Sequence, residues 1–452
     1  MPYRHRGAWP RRECESPKDD SLRFFRAWRG GTGSSPLKTK LFDLLPTERF
    51  RWPPSSLSQQ SKLCSPSPAQ WVGIDNRDCP AVPKETNMAD AKLQSVLSCL
   101  SQVARELDPL LSGRPAPDAS YVKLNTNENP FPLPTMVWDG AIAALERQYL
   151  YPEDDNLSLR EAAANAYGLS KDQVIAGNGS SEILGLIYRA FLAPGDSVAM
   201  MSPGFSFNRK LAMLHGAQFL EIGCKQTHSL PTEEFLLGPA RDAKFILLAN
   251  PNNPTGTFVP IAEVERLLER SDRLVVLDEA YVDFAPDNGL RLVSRYSNVL
   301  LLRTFSKSYA TAGIRVGFGF GHPELIGRLR NIQNVFNMNV IGHAVGISVL
   351  AHRAAYEENH RHIRHERERV TTALSQLGFS VTPSHANFLL ARVPEGHNGR
   401  WWQAALERQK ILVAFFPDKV LESCIRVSIG TSQQMDAFLA VVSDISASLR
   451  VA

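Results

Sequence analysis

The segment Thr304-Phe305-Ser306-Lys307-Ser308-Tyr309-Ala310-Thr311-Ala312-Gly313-Ile314-Arg315 sets an amine among hydroxyls directly after an apolar run, 299–302. A lysine at the end of a buried strand loses its proton to desolvation and then serves as a nucleophile. Ser306 and Arg315 beside it could hold a phosphate near that amine. Ala176-Gly177-Asn178-Gly179-Ser180-Ser181-Glu182 precedes an apolar stretch of helical spacing. Small residues at a helix start expose backbone N–H groups, where an anion is favoured.

Two further motifs follow apolar runs. Asn250-Pro251-Asn252-Asn253-Pro254-Thr255-Gly256 comes after the run 245–248, and its prolines and glycine specify a fixed turn. Open α/β sheets place ligands at such strand ends. Asp278-Glu279-Ala280-Tyr281 follows 275–277, and a carboxylate there can pair with a protonated ring nitrogen. Glu279 and Asp283 receive no role and read as solvated or structural.

Together these motifs resemble fold-type I pyridoxal-phosphate enzymes, specifically the class I/II aminotransferases, over about residues 115 to 450. The resemblance implies that Lys307 forms the Schiff base with pyridoxal 5'-phosphate and that Asp278 pairs with the pyridine nitrogen. Gly179, Ser180, Ser181, Thr304, Ser306 and Arg315 would surround the cofactor phosphate. Asn253 and Tyr281 would contact the ring hydroxyl, and Phe205, in Ser202-Pro203-Gly204-Phe205, would stack on the ring. Lys123-Leu124-Asn125-Thr126-Asn127-Glu128-Asn129-Pro130 and Tyr151-Pro152 are similar to the histidinol-phosphate aminotransferases. That group implies a homodimer in which Tyr151 reaches the partner's cofactor phosphate. Arg426, in Ile425-Arg426-Val427-Ser428-Ile429-Gly430-Thr431, would hold the substrate's acidic group, with Asn127 and Asn387 beside the substrate.

One position departs from that subfamily. In Lys410-Ile411-Leu412-Val413-Ala414-Phe415-Phe416, Ala414 stands where the subfamily usually carries an arginine that binds substrate phosphate. Its loss should weaken a dianionic substrate by about 1.5–3 kcal/mol, the scale of a charged hydrogen bond. The implied reaction is transamination of a small amino acid or an amino-alcohol phosphate with a 2-oxo acid, in amino-acid biosynthesis. The alternatives are a threonine-phosphate-type decarboxylase and an amino-acid oxidase. A pyridoxal-phosphate-sensing regulator would need a DNA-binding helix-turn-helix, which the Pro-rich start of the chain lacks.

Positioning such residues requires a sheet and its helices. Apolar runs at 197–202, 245–248, 274–277 and 299–302, with helical stretches such as 261–271 between them, read as strands buried on both faces of a mostly parallel sheet. A charged helix over 354–377 and short strands at 380–382, 387–391 and 425–429 follow. The fold class is therefore α/β, with a large domain over 121–345 and a smaller α+β C-terminal domain over 346–452. Apolar spacing from Leu93 to Leu111 predicts an N-terminal helix and arm within 88–120.

Residues 1–87 differ, with eleven prolines, ten serines and fifteen Lys or Arg against nine Asp or Glu. Such a composition buries too little apolar surface to fold. Two readings are open: a disordered extension, or a true start at Met88. The whole chain of 452 residues carries a net charge of only +4, against a dedicated nucleic-acid binder. No apolar run of membrane-spanning length occurs. Six scattered cysteines, none in a CxxC pair, give no zinc or redox motif and suit a cytoplasmic protein. No metal site is expected.

Overall fold

The computed structural model describes residues 86–107, 113, 115–223 and 230–451. The extension 1–87 thus lies, but for its last two residues, outside the described residues. The predicted N-terminal helix is two helices, Thr86–Ser98 and Gln102–Glu106. The break falls at Ser101, whose hydroxyl accepts the Ala104 N–H and starts the second helix.

A short strand β1 (Val122–Leu124) precedes the seven strands of the main sheet: β2 (Val174–Asn178), β3 (Ser197–Ser202), β4 (Gln218–Gly223), β5 (Phe245–Ala249), β6 (Leu274–Asp278), β7 (Val299–Thr304) and β8 (Val316–Gly321). They lie in the order β2-β8-β7-β6-β5-β3-β4. All neighbours are parallel except β8, which runs against both β2 and β7. The central strands are continuous apolar runs because both faces are covered. Ile246, Val275 and Leu301 point into one core, and Leu247, Val276 and Leu300 into the other.

β8 escapes a reading by apolar runs because glycine alternates with its aromatics. A Cβ on Gly317 would stand 2.1 Å from the Ser180 nitrogen. The missing side chain lets the helix Ser180–Phe191 start directly against the sheet.

The second sheet joins β9 (Ser380–Val381), β10 (Phe388–Arg392), β11 (Ile411–Phe415) and β12 (Cys424–Ser428) in the order β1-β11-β12-β10-β9. β1 pairs in parallel with β11, so residues 122–124 hydrogen-bond into this sheet although they precede the main sheet in sequence. Sequence position 346 falls inside the helix Val340–Ala351, which packs on the helices Thr135–Leu145 and Leu157–Tyr167. The charged helix runs from Glu357 to Gln376 after a 3-10 turn at Arg353–Tyr356. Tyr281 and Phe284, from the loop after β6, pack in the core of the second sheet with Phe388 and Val427. This wedge joins the two sheets along the line where the motifs converge. No helix among the described residues is long and apolar enough to cross a membrane.

Candidate active site

β7 ends at Thr304, whose side chain accepts the Ser306 N–H at 3.2 Å and opens the single-turn helix Phe305–Ser308. This turn carries Lys307 inward. Its Nζ donates to the Thr126 carbonyl at 3.0 Å and lies 5.8 Å from the centre of the Tyr281 ring. Burial and then the nearby Arg426 guanidinium push the Lys307 amine down to about 7. Asp278, at the end of β6, accepts the Ala280 N–H at 3.0 Å. Burial pushes its carboxyl up to about 6. The cleft therefore holds a base that sheds its proton near neutrality and an acid poised to meet a buried cation.

The anion end is built around Arg315. Its Nη1 donates to Ser306 Oγ at 3.1 Å and its Nη2 to Ser181 Oγ at 3.1 Å. Gly179 has φ +80°, and a Cβ there would stand 2.3 Å from Arg315 Nη2. Only glycine lets the guanidinium lie against this turn. One guanidinium, the Ser181 and Ser306 hydroxyls and the first amides of a twelve-residue helix surround one point. That donor set fits a phosphate. Thr304 is spent differently: its hydroxyl lies 3.3 Å from the Val316 carbonyl and 3.1 Å from Ser306 Oγ, and its one proton goes to one of them. It shapes the turn.

The opposite end is built around Arg426 on β12. Its Nη1 donates to Asn253 Oδ1 at 2.7 Å and its Nη2 to the Asn125 carbonyl at 2.9 Å. Its Nε is buried without a protein partner. The guanidinium lies 5.4 Å from the Phe388 ring and 5.3 Å from the Phe416 ring. Asn253 is placed by a loop that Asn250 closes, donating to the Val259 carbonyl and accepting the Val259 N–H, each at 2.8 Å. Asn127 donates to the Tyr281 hydroxyl at 3.0 Å and takes a hydrogen bond from Ser428 Oγ at 3.1 Å. Asn387 is fully buried and donates to the Asn127 carbonyl at 3.0 Å, so it fixes the backbone of Asn127. Burial raises the Tyr281 phenol. Beside these residues a cleft of about 360 Å³ opens between Lys123, Glu128, Ser306 and Ser428.

Lys307, Asp278, Tyr281, Asn253, Arg426, Asn127 and Asn387 are thus gathered at one junction, with Ser181, Ser306 and Arg315 adjoining it. Phe205 and Tyr151 are not. Phe205 is 41% exposed and tilts against Phe207. Tyr151 is 81% exposed and stacks on Phe336 with centroids 4.5 Å apart.

Three features were not singled out from the sequence. The Thr126 carbonyl holds the lysine, and the Asn125 carbonyl holds the arginine. Glu279 is buried, not solvated: Arg303 donates to it from Nε at 3.1 Å and from Nη2 at 2.8 Å. An arginine on the otherwise apolar β7 was the signal for that pair, since a buried charge demands a partner.

The family model for aminotransferase class I and II matches residues 119–442. A histidinol-phosphate aminotransferase 3 from Mesorhizobium japonicum is 79% identical over 359 residues, spanning 79% of this chain and 97% of the relative. A histidinol-phosphate aminotransferase from Sinorhizobium fredii is 75% identical, spanning 80% of this chain and 98% of the relative. Among solved structures, the histidinol-phosphate aminotransferase from Sinorhizobium meliloti in complex with pyridoxal-5'-phosphate has a TM-score of 0.71 at 26% identity, covering 78% of this chain and 98% of that one. An L-threonine-O-3-phosphate decarboxylase from Porphyromonas gingivalis shares the fold at 22% identity, with a TM-score of 0.63 and 72% of this chain covered. With its buried lysine, its phosphate-shaped cup and these likenesses, the chain belongs to the class I and II aminotransferases and is a pyridoxal-phosphate-dependent transaminase.

Proposed function

We propose that the chain moves the amino group of histidinol phosphate to a 2-oxo acid, working as a homodimer in the cytoplasm. One observation supports this most: a lysine with a depressed pKa shares a buried junction with an arginine whose Nε is unsatisfied. The relatives at 79% and 75% identity are histidinol-phosphate aminotransferases, and that likeness supplies the substrate.

Bound pyridoxal phosphate supplies the electron sink that accepts charge when the substrate carbon loses its proton. The cup of Gly179, Ser180, Ser181, Ser306 and Arg315 anchors the phosphate, with Thr304 shaping the turn. Asp278 would keep a positive charge on the ring nitrogen, and Asn253 and Tyr281 would face the ring hydroxyl. Phe205, exposed beside Phe207 in this structure, would stack on the ring by turning inward, and Tyr151 would reach across to the partner's cup. Lys307 Nζ would hold the cofactor and, as an amine that sheds its proton near neutrality, would take the proton from the substrate carbon that bears the amine. Arg426 binds the substrate's acidic group, and the Phe388 and Phe416 rings exclude water around it. Asn127 and Asn387 hold the strand segment against which the substrate lies.

Apolar residues left open at the surface support the dimer. Leu93, Val96 and Leu97 of the first helix, Trp138 and Ile142 of the helix Thr135–Leu145, and Tyr151 are all exposed. Patches of this kind mark interfaces. Sedimentation at assay concentration should show a dimer; an active monomer contradicts it.

The reaction is tested by mixing the holoenzyme with histidinol phosphate while following absorbance, then adding 2-oxoglutarate. The expected result is conversion of the cofactor to its amine form, followed by stoichiometric glutamate. Release of carbon dioxide from an amino-acid donor without glutamate would favour the decarboxylase reading instead.

A further inference from the structure

Behind the cup lies a chain of side chains that the reaction itself does not use. His343 Nε2 is 2.7 Å from Asn156 Oδ1. Asn156 Nδ2 donates to Asn337 Oδ1 at 2.8 Å, and Asn337 Nδ2 donates to Glu182 Oε2 at 2.9 Å. The same Glu182 oxygen accepts the Asn178 N–H at 2.5 Å. Every donor thus points the same way, from imidazole to carboxylate. Bonds aligned in this manner polarise and strengthen one another. Asn156 is 1% exposed and His343 is 9% exposed, so that end is shielded from water, while Asn337 and Glu182 are half-buried.

The chain connects two elements that face cofactor phosphate on the reading above, the cup helix and the Tyr151 loop. Glu182 sits in the first turn of the cup helix and fixes the strand end that leads into Gly179. Asn156 closes the loop that begins with Tyr151, and Asn337 follows Phe336, the ring on which Tyr151 stacks. Asn156 and Phe336 both have positive φ, at +50° and +53°. A bulky residue in that region is strained and persists only where its surroundings over-determine it. Asp155 adds a second pin, accepting from Arg160 Nη1 at 2.7 Å and from Arg330 Nε at 2.9 Å. Strained backbone held by these bonds therefore presents a stacked aromatic pair, Tyr151 on Phe336, at the surface.

We infer that Asn337, Asn156 and His343 are positioning residues that anchor the Tyr151 loop to Glu182 of its own subunit, so that Tyr151 is held ready for the partner's cup. The inference rests on the reading of Tyr151 as a cofactor-phosphate contact.

The test measures dissociation of pyridoxal phosphate from holoenzyme variants, with sedimentation to confirm that each is still a dimer. Tyr151→Phe and Asn337→Ala should each weaken retention by about tenfold, the scale of one well-made hydrogen bond. The double variant should be no worse than Tyr151→Phe alone, because residues acting through one contact do not add. If Tyr151→Phe weakens retention and Asn337→Ala does not, the inference falls and the reading of Tyr151 stands. If the two effects multiply, Asn337 acts through the cup alone and the inference also falls. If Tyr151→Phe changes nothing, the reading of Tyr151 fails and the inference fails with it. Should Asn337→Ala not fold, His343→Leu and His343→Gln replace it. Leucine should lose retention and glutamine, which keeps a donor, should restore it; equal retention in the two overturns the inference.

Discussion

The two ends of the junction are built differently. At the anion end, Arg315 bonds to Ser306, nine residues away, and to Ser181. All three belong to the main sheet and the turns that follow its strands. At the other end, Arg426 bonds to the Asn125 carbonyl and Ser428 bonds to Asn127, each across 301 residues. Asn253 brings the main sheet to the same arginine. The Arg315 end is thus set within one layer, while the Arg426 end exists only where two sheets meet. Changes to the packing between sheets should alter substrate binding while cofactor binding stays intact.

The largest effect expected is at the lysine. Lys307→Ala removes the proton carrier, and turnover should fall by about 10²–10⁴-fold, in the range of lost general acid–base catalysis. Single-turnover absorbance measurements check this, and an effect under tenfold would relocate the base.

Arg426→Ala breaks the other end. The KM for acidic substrates should rise by about ten- to a hundredfold, corresponding to roughly 1.5–3 kcal/mol for a hydrogen bond to a charge. Pyridoxal phosphate should remain bound with nearly unchanged affinity. Equal loss of both would show that the two ends are not separable.

Ala414→Arg sharpens the contrast. Ala414 lies directly across from Arg426 in the β11–β12 pairing. Opposed residues on neighbouring strands bring their side chains within about 5 Å of each other. A second guanidinium there should shift preference toward histidinol phosphate, relative to a monocarboxylate donor, by roughly tenfold, about 1.4 kcal/mol. A ratio of kcat/KM values that does not move places phosphate binding elsewhere.

The smallest effect concerns protonation. Lys307 titrates near 7 when folded, below its ordinary value of about 10.4. Between those values the unfolded chain binds more protons than the folded one, so this residue makes apoenzyme stability rise with pH over that window and fall as pH drops toward 7. The Tm of apoenzyme minus that of its Lys307→Met variant should therefore increase from pH 7 to pH 10. A flat difference would mean that the amine is charged in the fold.

The same division governs what could be read from sequence. Lys307, Asp278 and Asn253 were legible because each follows an apolar run that is a strand, and the Gly179 turn because it precedes an apolar helix, all within short contiguous motifs. The four strands read from such runs, β3, β5, β6 and β7, are present with nearly the expected bounds. β8 was not read, since its alternating glycines leave no apolar run. The parallel pairing of β1 with β11 left no local trace, because its register is set by a partner far along the chain. The buried Glu279–Arg303 pair and the Asn156–Asn337 bond were equally hidden: neither charge nor amide shows which distant group satisfies it. Arg426 and Asn387 were found only through family resemblance, and the backbone carbonyls that hold Lys307 and Arg426 have no sequence signature.

The central claim is that Lys307 is the residue that holds pyridoxal phosphate. Reducing the holoenzyme with borohydride and mapping its peptides tests it directly. The label should fall on Lys307, in the peptide that contains Ser306 and Arg315 if cleavage spares both. A label on any other lysine would contradict the assignment.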